Sequence, residues 1–155
     1  EIRDKLEPFG VTRDFTGLSF RPEGGGYIAG VTHLDEPRGF NWSVDASWFE
    51  EAVWPKLAHR VTAFQALKPG RSWSGHYDQN ALDGNPIIGP WVGGLDNFYV
   101  AAGFSGHGLQ HAPAVGRALA ELLVDGGFRT IDLSRLSYRR IIDNAPLIET
   151  GGPPA

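Results

Sequence analysis

The chain of 155 residues contains no cysteine and no methionine. Without thiols it forms neither disulfides nor thiolate metal sites, and it suits a reducing compartment. Methionine is missing even at position 1, where the chain opens Glu1-Ile2-Arg3-Asp4. The sequence therefore reads as a processed, cleaved or excised piece of a longer polypeptide. A basic surplus is missing too: 14 Lys and Arg stand against 18 Asp and Glu, a net charge of −4. This argues against a partner that presents a phosphate backbone, so no nucleic acid is expected. No apolar run approaches the ~18 residues of a membrane span. No segment at the start combines basic residues with an apolar stretch, so no targeting signal is visible.

What is abundant is glycine and proline, 21 and 11 residues. Together they make about a fifth of the chain, against roughly 12% in average usage, which predicts many turns and short elements. Leu18-Ser19-Phe20-Arg21 and Tyr27-Ile28-Ala29-Gly30-Val31 flank Pro22-Glu23-Gly24-Gly25-Gly26 and read as a β-hairpin with a three- to five-residue loop. Gly30 marks a bulge or a close backbone approach. Residues 45–67 read as a helix, with Ser47 and Glu50 as a capping box and Phe49, Val53, Leu57 and Val61 as its apolar stripe. Pro55 predicts a kink there, and Lys68-Pro69-Gly70 the end of the helix. Residues 73–78 look extended, and Ile87-Ile88-Gly89 is a short strand. The unbroken apolar run from Asn97 to Ala102 predicts a strand buried on both faces, as in a parallel sheet. A helix from about Leu109 to Val124 follows, with Ala112, Val115, Leu119, Leu122 and Leu123 as its apolar side and Gly126-Gly127 as its stop. A last amphipathic stretch covers 133–142, and residues 151–155 are expected to form a loose tail.

The strongest chemical feature is strand, glycine-rich turn and helix from Phe98 to Val124. Glycine lets a backbone approach a ligand, and a helix N-terminus offers free N–H groups with partial positive charge. Together they suit a phosphate or a negatively charged ring, although the same pattern also serves plain packing. The turn lacks the Lys-Ser/Thr pair of a triphosphate loop and the acidic residue of a dinucleotide unit, so it is not a self-contained nucleotide site. His107 and His111 share a helical face, but no intervening Glu follows His107 and spacing suggests no third ligand, so no metal is expected. His76, Tyr77 and Asp78 form a polar cluster in which only alternate residues can share a pocket. His76 and Asp78 could pair, Tyr77 could face a ligand, or all three could be ordinary strand decoration. Gly103-Phe104-Ser105-Gly106 has the wrong spacing for a nucleophile elbow.

Three motifs resemble a known family. Residues 101–108, Ala101-Ala102-Gly103-Phe104-Ser105-Gly106-His107-Gly108, with Leu109-Gln110 and residues 112–120 after them, look like the C-terminal flavin motif of the D-amino-acid-oxidase superfamily. Arg21-Pro22-Glu23-Gly24-Gly25-Gly26-Tyr27 resembles its substrate-domain hairpin. Trp73-Ser74-Gly75, leading to Asp83-Gly84-Asn85-Pro86-Ile87-Ile88-Gly89, resembles the segment that passes the flavin ring. The three occur in the family's order over about positions 18–135. The branch resembled is that of the sarcosine and dimethylglycine dehydrogenases and of the FAD-dependent oxidoreductases linked to respiratory complex I assembly.

The resemblance implies an α+β fold: a mixed substrate-domain sheet with helices, plus the closing β-strand and C-terminal helix of a Rossmann-like FAD-binding domain. Residues 1–95 would belong to the substrate domain, 96–145 to the FAD domain, and 146–155 to a tail. FAD is the implied cofactor, with Gly75, His76, Gly103, Phe104, Ser105, Gly106, His107, Gly108, Leu109 and Gln110 beside it. His107 and Tyr77 are the implied catalytic residues, and a secondary or tertiary amine the implied substrate, oxidised by hydride transfer to flavin N5. The family's Gly-x-Gly-x-x-Gly, which grips the FAD pyrophosphate, does not occur here, so an N-terminal FAD-binding half is the implied partner. Two departures stand out. Gln110 takes the place of a Lys that holds the substrate carboxylate in sarcosine oxidases, and no Arg lies near Tyr77. They motivate an alternative, a non-catalytic assembly or scaffold protein with the same fold. A sugar- or peptide-binding module using exposed Trp is a third reading.

Overall fold

A computed structural model describes residues 9–33 and 35–148. The loose tail expected at 151–155 therefore lies outside the described residues, as does all but 146–148 of the implied tail 146–155. The fold is α+β, in two compact units, residues 1–75 and 76–155. The strands at 87–90 and 99–102 pair with each other and both lie in the second unit.

The first unit is an antiparallel sheet of β1 (Thr12–Arg13), β2 (Leu18–Glu23) and β3 (Gly26–Val31), in that order. The hairpin is tighter than expected. Glu23 pairs with Gly26, so only Gly24-Gly25 form the loop, and Gly24 supplies the positive φ (56°) that the reversal needs. Gly30 makes no bulge; it stands in register opposite Ser19. Leu18 and Phe20 point to one face and meet Val53, Leu57 and Phe64 in the core. By the alternation of strands, Ser19, Arg21 and Ile28 lie on the other face.

The single kinked helix expected at 45–67 is instead a series of segments. α1 (Ala46–Trp48) passes into a π-helical turn, Phe49–Val53, then α2 (Trp54–Arg60), and after Val61 a 3-10 segment, Thr62–Ala66. Its cap is Asp45, whose carboxylate accepts the Ser47 N–H at 2.9 Å and the Ser47 hydroxyl at 2.8 Å, which displaces the expected Ser47–Glu50 box. Pro55 has no N–H for the carbonyl four residues back, and Trp54 N–H bonds five residues back to Phe49, so the wider turn takes up the misfit that a kink would have absorbed. Val61 turns extended (φ −135°) and ends the helix early. This places Phe64, fully buried, edge-on to Phe20 and Tyr27, while the Trp54 indole donates to the Phe64 carbonyl at 3.1 Å.

In the second unit, β4 (Ile87–Pro90) and β5 (Tyr99–Ala102) form an antiparallel pair. The apolar run predicted a parallel strand covered on both faces; among the described residues β5 instead pairs only with β4, antiparallel, and Ala101 is exposed. Residues 73–78 form no strand, and the extended segment registers only as a bridge between Gln79 and Phe104. α3 (Gly108–Asp125) ends at Gly126 in the left-handed conformation, as expected. Val115 and Ala118 are buried, but Leu123 of the expected apolar side is exposed. The stretch 133–142 is a 3-10 turn, Ser134–Leu136, followed by α4 (Arg139–Ile142).

Candidate functional site

The turn between β5 and α3 carries three positions of positive φ within four residues. Gly103, Ser105 and Gly106 have φ of 73°, 49° and 88°. Side chains rarely adopt this region, and a serine there needs outside support. Residues 78–80 give that support. The Asp78 carboxylate accepts the Gly103 N–H, the Asp78 carbonyl accepts the Ser105 N–H at 2.9 Å, and the Asn80 N–H donates to the Ser105 hydroxyl at 3.2 Å. Ser105 is buried, so its hydroxyl is an internal strut.

Two side chains press on the turn. A Cβ built at Gly106 would lie 2.8 Å from the ring of Tyr77, and one at Gly108 3.3 Å from Phe104 Cβ. Of the implied site residues, Tyr77, Gly103, Phe104, Ser105, Gly106, His107, Gly108, Leu109 and Gln110 thus gather around one turn and one helix start. His76 begins the same unit, whereas Gly75 ends the first unit. The alternatives left open at 76–78 resolve in part: Asp78 serves the turn and Tyr77 lies over Gly106.

The His107 N–H is used, donating to the Phe104 carbonyl at 2.9 Å. The amides of Gly108, Leu109 and Gln110 open α3, where no intrahelical acceptor exists. The first turn of α3 carries no acidic side chain to neutralise them, and Leu109 is 91% exposed. Three aligned amides at the positive end of an 18-residue helix suit a delocalised negative charge. The bare Cα atoms at 103 and 106 let Asn80 and the Tyr77 ring pack directly against the turn. The rings of His107 and His111 stack with centroids 6.0 Å apart. Among the described residues no group of three or more His, Cys, Asp or Glu could hold a metal, and no helix is long and apolar enough to cross a membrane.

Asn80 and Arg140 were missed in the sequence, and Asp83 was read only as part of the 83–89 motif. Asp83 and Arg140 form a buried bidentate ion pair, Nε–Oδ2 3.0 Å and Nη2–Oδ1 3.1 Å, with side chains 3% and 6% exposed. Burial alone would raise the Asp83 pKa, but hydrogen bonds from Arg140 and the amides of Leu147 and Asn85 hold it below the usual carboxylate range. The available signal was the Asn80-x-x-Asp83-Gly84-Asn85 spacing, typical of a side-chain-stapled turn. Nothing local pairs it with an arginine 57 residues on.

Residues 2–122 match the family described as FAD dependent oxidoreductase, DAO. The chain is 53% identical over 142 residues to FAD-dependent oxidoreductase domain-containing protein 1 of Xenopus laevis, a match covering 88% of this chain and 28% of that protein. It is 47% identical to a probable sarcosine oxidase of Arabidopsis thaliana over 47 residues, 29% of this chain and 11% of that protein. Among solved structures, L-proline dehydrogenase from P. horikoshii matches with a TM-score of 0.77 and 28% identity, over 85% of this chain and 34% of that one. The chain spans little more than a quarter of the length of the curated relative from Xenopus.

Proposed function

Because the chain belongs to the DAO family of FAD-dependent oxidoreductases, we propose that it supplies the flavin-facing turn of an enzyme that oxidises a secondary or tertiary amine, passing hydride to flavin N5. FAD is the cofactor that goes with the family, and it supplies the redox chemistry when bound. The observation that carries the reading is the set of amides at Gly108, Leu109 and Gln110 that open α3 without a side-chain cap, behind a turn held by Asp78 and Asn80. Fixed N–H dipoles there stabilise negative charge on the pyrimidine edge of the ring without having to reorganise. Tyr77 and His107 line the turn, where they would orient the amine and hold a proton. We assign β5 and α3 to the closing strand and helix of the FAD domain, and the first unit to the substrate domain. The missing partner is an N-terminal half that grips the pyrophosphate. A cysteine-free chain suits a bacterial cytoplasm or the mitochondrial matrix.

The test is anaerobic: the full flavoprotein is mixed with a panel of N-methyl amino acids and cyclic amines, and flavin absorbance is followed. Bleaching by a secondary or tertiary amine is expected. A flavin that stays oxidised with every amine would favour the second reading, an assembly or scaffold protein that keeps the fold. That reading draws on Gln110, exposed in the first turn of α3, where a neutral amide offers a substrate carboxylate no charge.

A further inference from the structure

The Asp83–Arg140 pair has no place in the chemistry above, yet it is the most heavily bonded side-chain cluster among the described residues of the second unit. Arg140 spends its remaining donors on the carbonyls of Asn85 (2.8 Å), Pro86 (3.0 Å), Leu136 (2.9 Å) and Ser137 (3.3 Å). Asp83 also accepts from the Asn80 side-chain amide at 3.1 Å, the Asn85 N–H at 3.0 Å and the Leu147 N–H at 2.9 Å. Asn80 connects this cluster to the turn. Its N–H reaches the Ser105 hydroxyl at 3.2 Å, and a Cβ at Gly103 would touch its own Cβ at 3.1 Å.

We propose that Arg140 is a positioning residue for the flavin-facing turn, acting through Asp83 and Asn80 on Ser105. A buried ion pair is a poor source of net stability, since desolvation offsets most of its attraction. What it supplies here is geometry. A guanidinium fork bound to a carboxylate fixes both planes, and the carboxylate fixes the amide whose backbone holds Ser105 in its left-handed conformation. If Ser105 relaxes, the Gly106–Gly108 peptides rotate and the α3 amides lose their aim. The inference rests on the flavin reading of the turn.

The experiment uses the full-length flavoprotein with Arg140→Lys, Ser105→Ala and both together. Arg140→Lys keeps the charge and loses the fork. It is expected to raise the FAD dissociation constant about tenfold, to change the visible spectrum of bound flavin and to lower its reduction potential. Ser105→Ala should do the same, and the double variant should be no worse than Ser105→Ala alone, because one route is cut twice. A merely structural Arg140 would lower the melting temperature and leave spectrum and potential unchanged, and its effect on FAD affinity would multiply with that of Ser105→Ala; either result overturns the proposal. Should Arg140→Lys fail to accumulate, Asp83→Asn, which keeps the shape and removes the charge, is read by the same criteria. Wild-type protein that takes up no flavin sinks the cofactor reading and this inference with it. Wild-type protein with flavin, and variants that match it, sink the inference alone.

Discussion

Gly106 and Gly103 both have positive φ, but a methyl group at each meets a different neighbour. At Gly106 it would strike the Tyr77 ring at 2.8 Å, and Tyr77 is 56% exposed, free to swing outward. At Gly103 it would meet Asn80, held by the Asp83 cluster and unable to retreat. Gly106→Ala should therefore cost about 1–2 kcal/mol, the strain of a left-handed alanine, and displace Tyr77 from the turn. On the amine-oxidation proposal, that displacement should lower turnover of the full flavoprotein more than its FAD content. Gly103→Ala should lower both. Thermal unfolding together with flavin-to-protein ratios separates the two cases, and equal losses at both positions would sink the distinction. The glycines themselves were legible in the sequence. Asp78 and Asn80 were not recognised as turn supports, because their partners lie 25 residues away and only the fold brings them close.

At the level of elements, the segment from Asp45 to Leu67 shows where periodicity stops being informative. The four-residue spacing of Phe49, Val53 and Leu57 correctly marked the buried stripe. Pro55 signalled a local misfit but not that a π-helical turn would absorb it, and nothing in the spacing signalled the break at Val61, which comes from Phe64 being drawn between Phe20 and Tyr27. Phe64→Ala should remove about 3–5 kcal/mol, more than any exposed change on α2, as measured by denaturant unfolding. The β1–β2 turn is pinned to α2 by Lys56, whose ammonium donates to the Thr16 carbonyl at 2.9 Å, and by Arg60, which pairs with Asp14 at 2.7 Å. The Thr16 hydroxyl, then Arg60, hold the Asp14 pKa at about 2, below its ordinary 3.8. A carboxylate lowered in the folded state adds stability above its unfolded value, and that stability is lost as pH falls through the folded one. The gap in stability between wild type and Asp14→Asn should be flat above about pH 4 and close on the way to pH 2. A gap that persists unchanged to pH 2 would show that the hydrogen bonds of Asp14 are not what stabilises the turn.

For the whole molecule, family and fold class were legible because three glycine-rich motifs keep their order, and backbone constraints of that kind survive in sequence. The environment of β5 was not legible, since burial on both faces depends on neighbours rather than on the strand. α3 has the same character. Val115 and Ala118 are covered, yet Leu109, Leu123 and Val124 stand 91%, 62% and 82% exposed along the same helix. A helix apolar on more than one side expects contact on more than one side. On the flavin proposal the site is divided in the same sense: the α3 amides would face the ring edge, and no Gly-x-Gly-x-x-Gly is present to hold a pyrophosphate. Ring-edge contacts alone leave most of FAD in water. Residues 1–155 by themselves should therefore bind FAD only weakly, whereas the same residues within the longer polypeptide should retain it through gel filtration. Fluorescence titration of both forms with FAD measures the difference. Stoichiometric, tight uptake by the isolated chain would mean that the pyrophosphate grip lies within these residues, and that the division of labour argued from the turn and α3 is wrong.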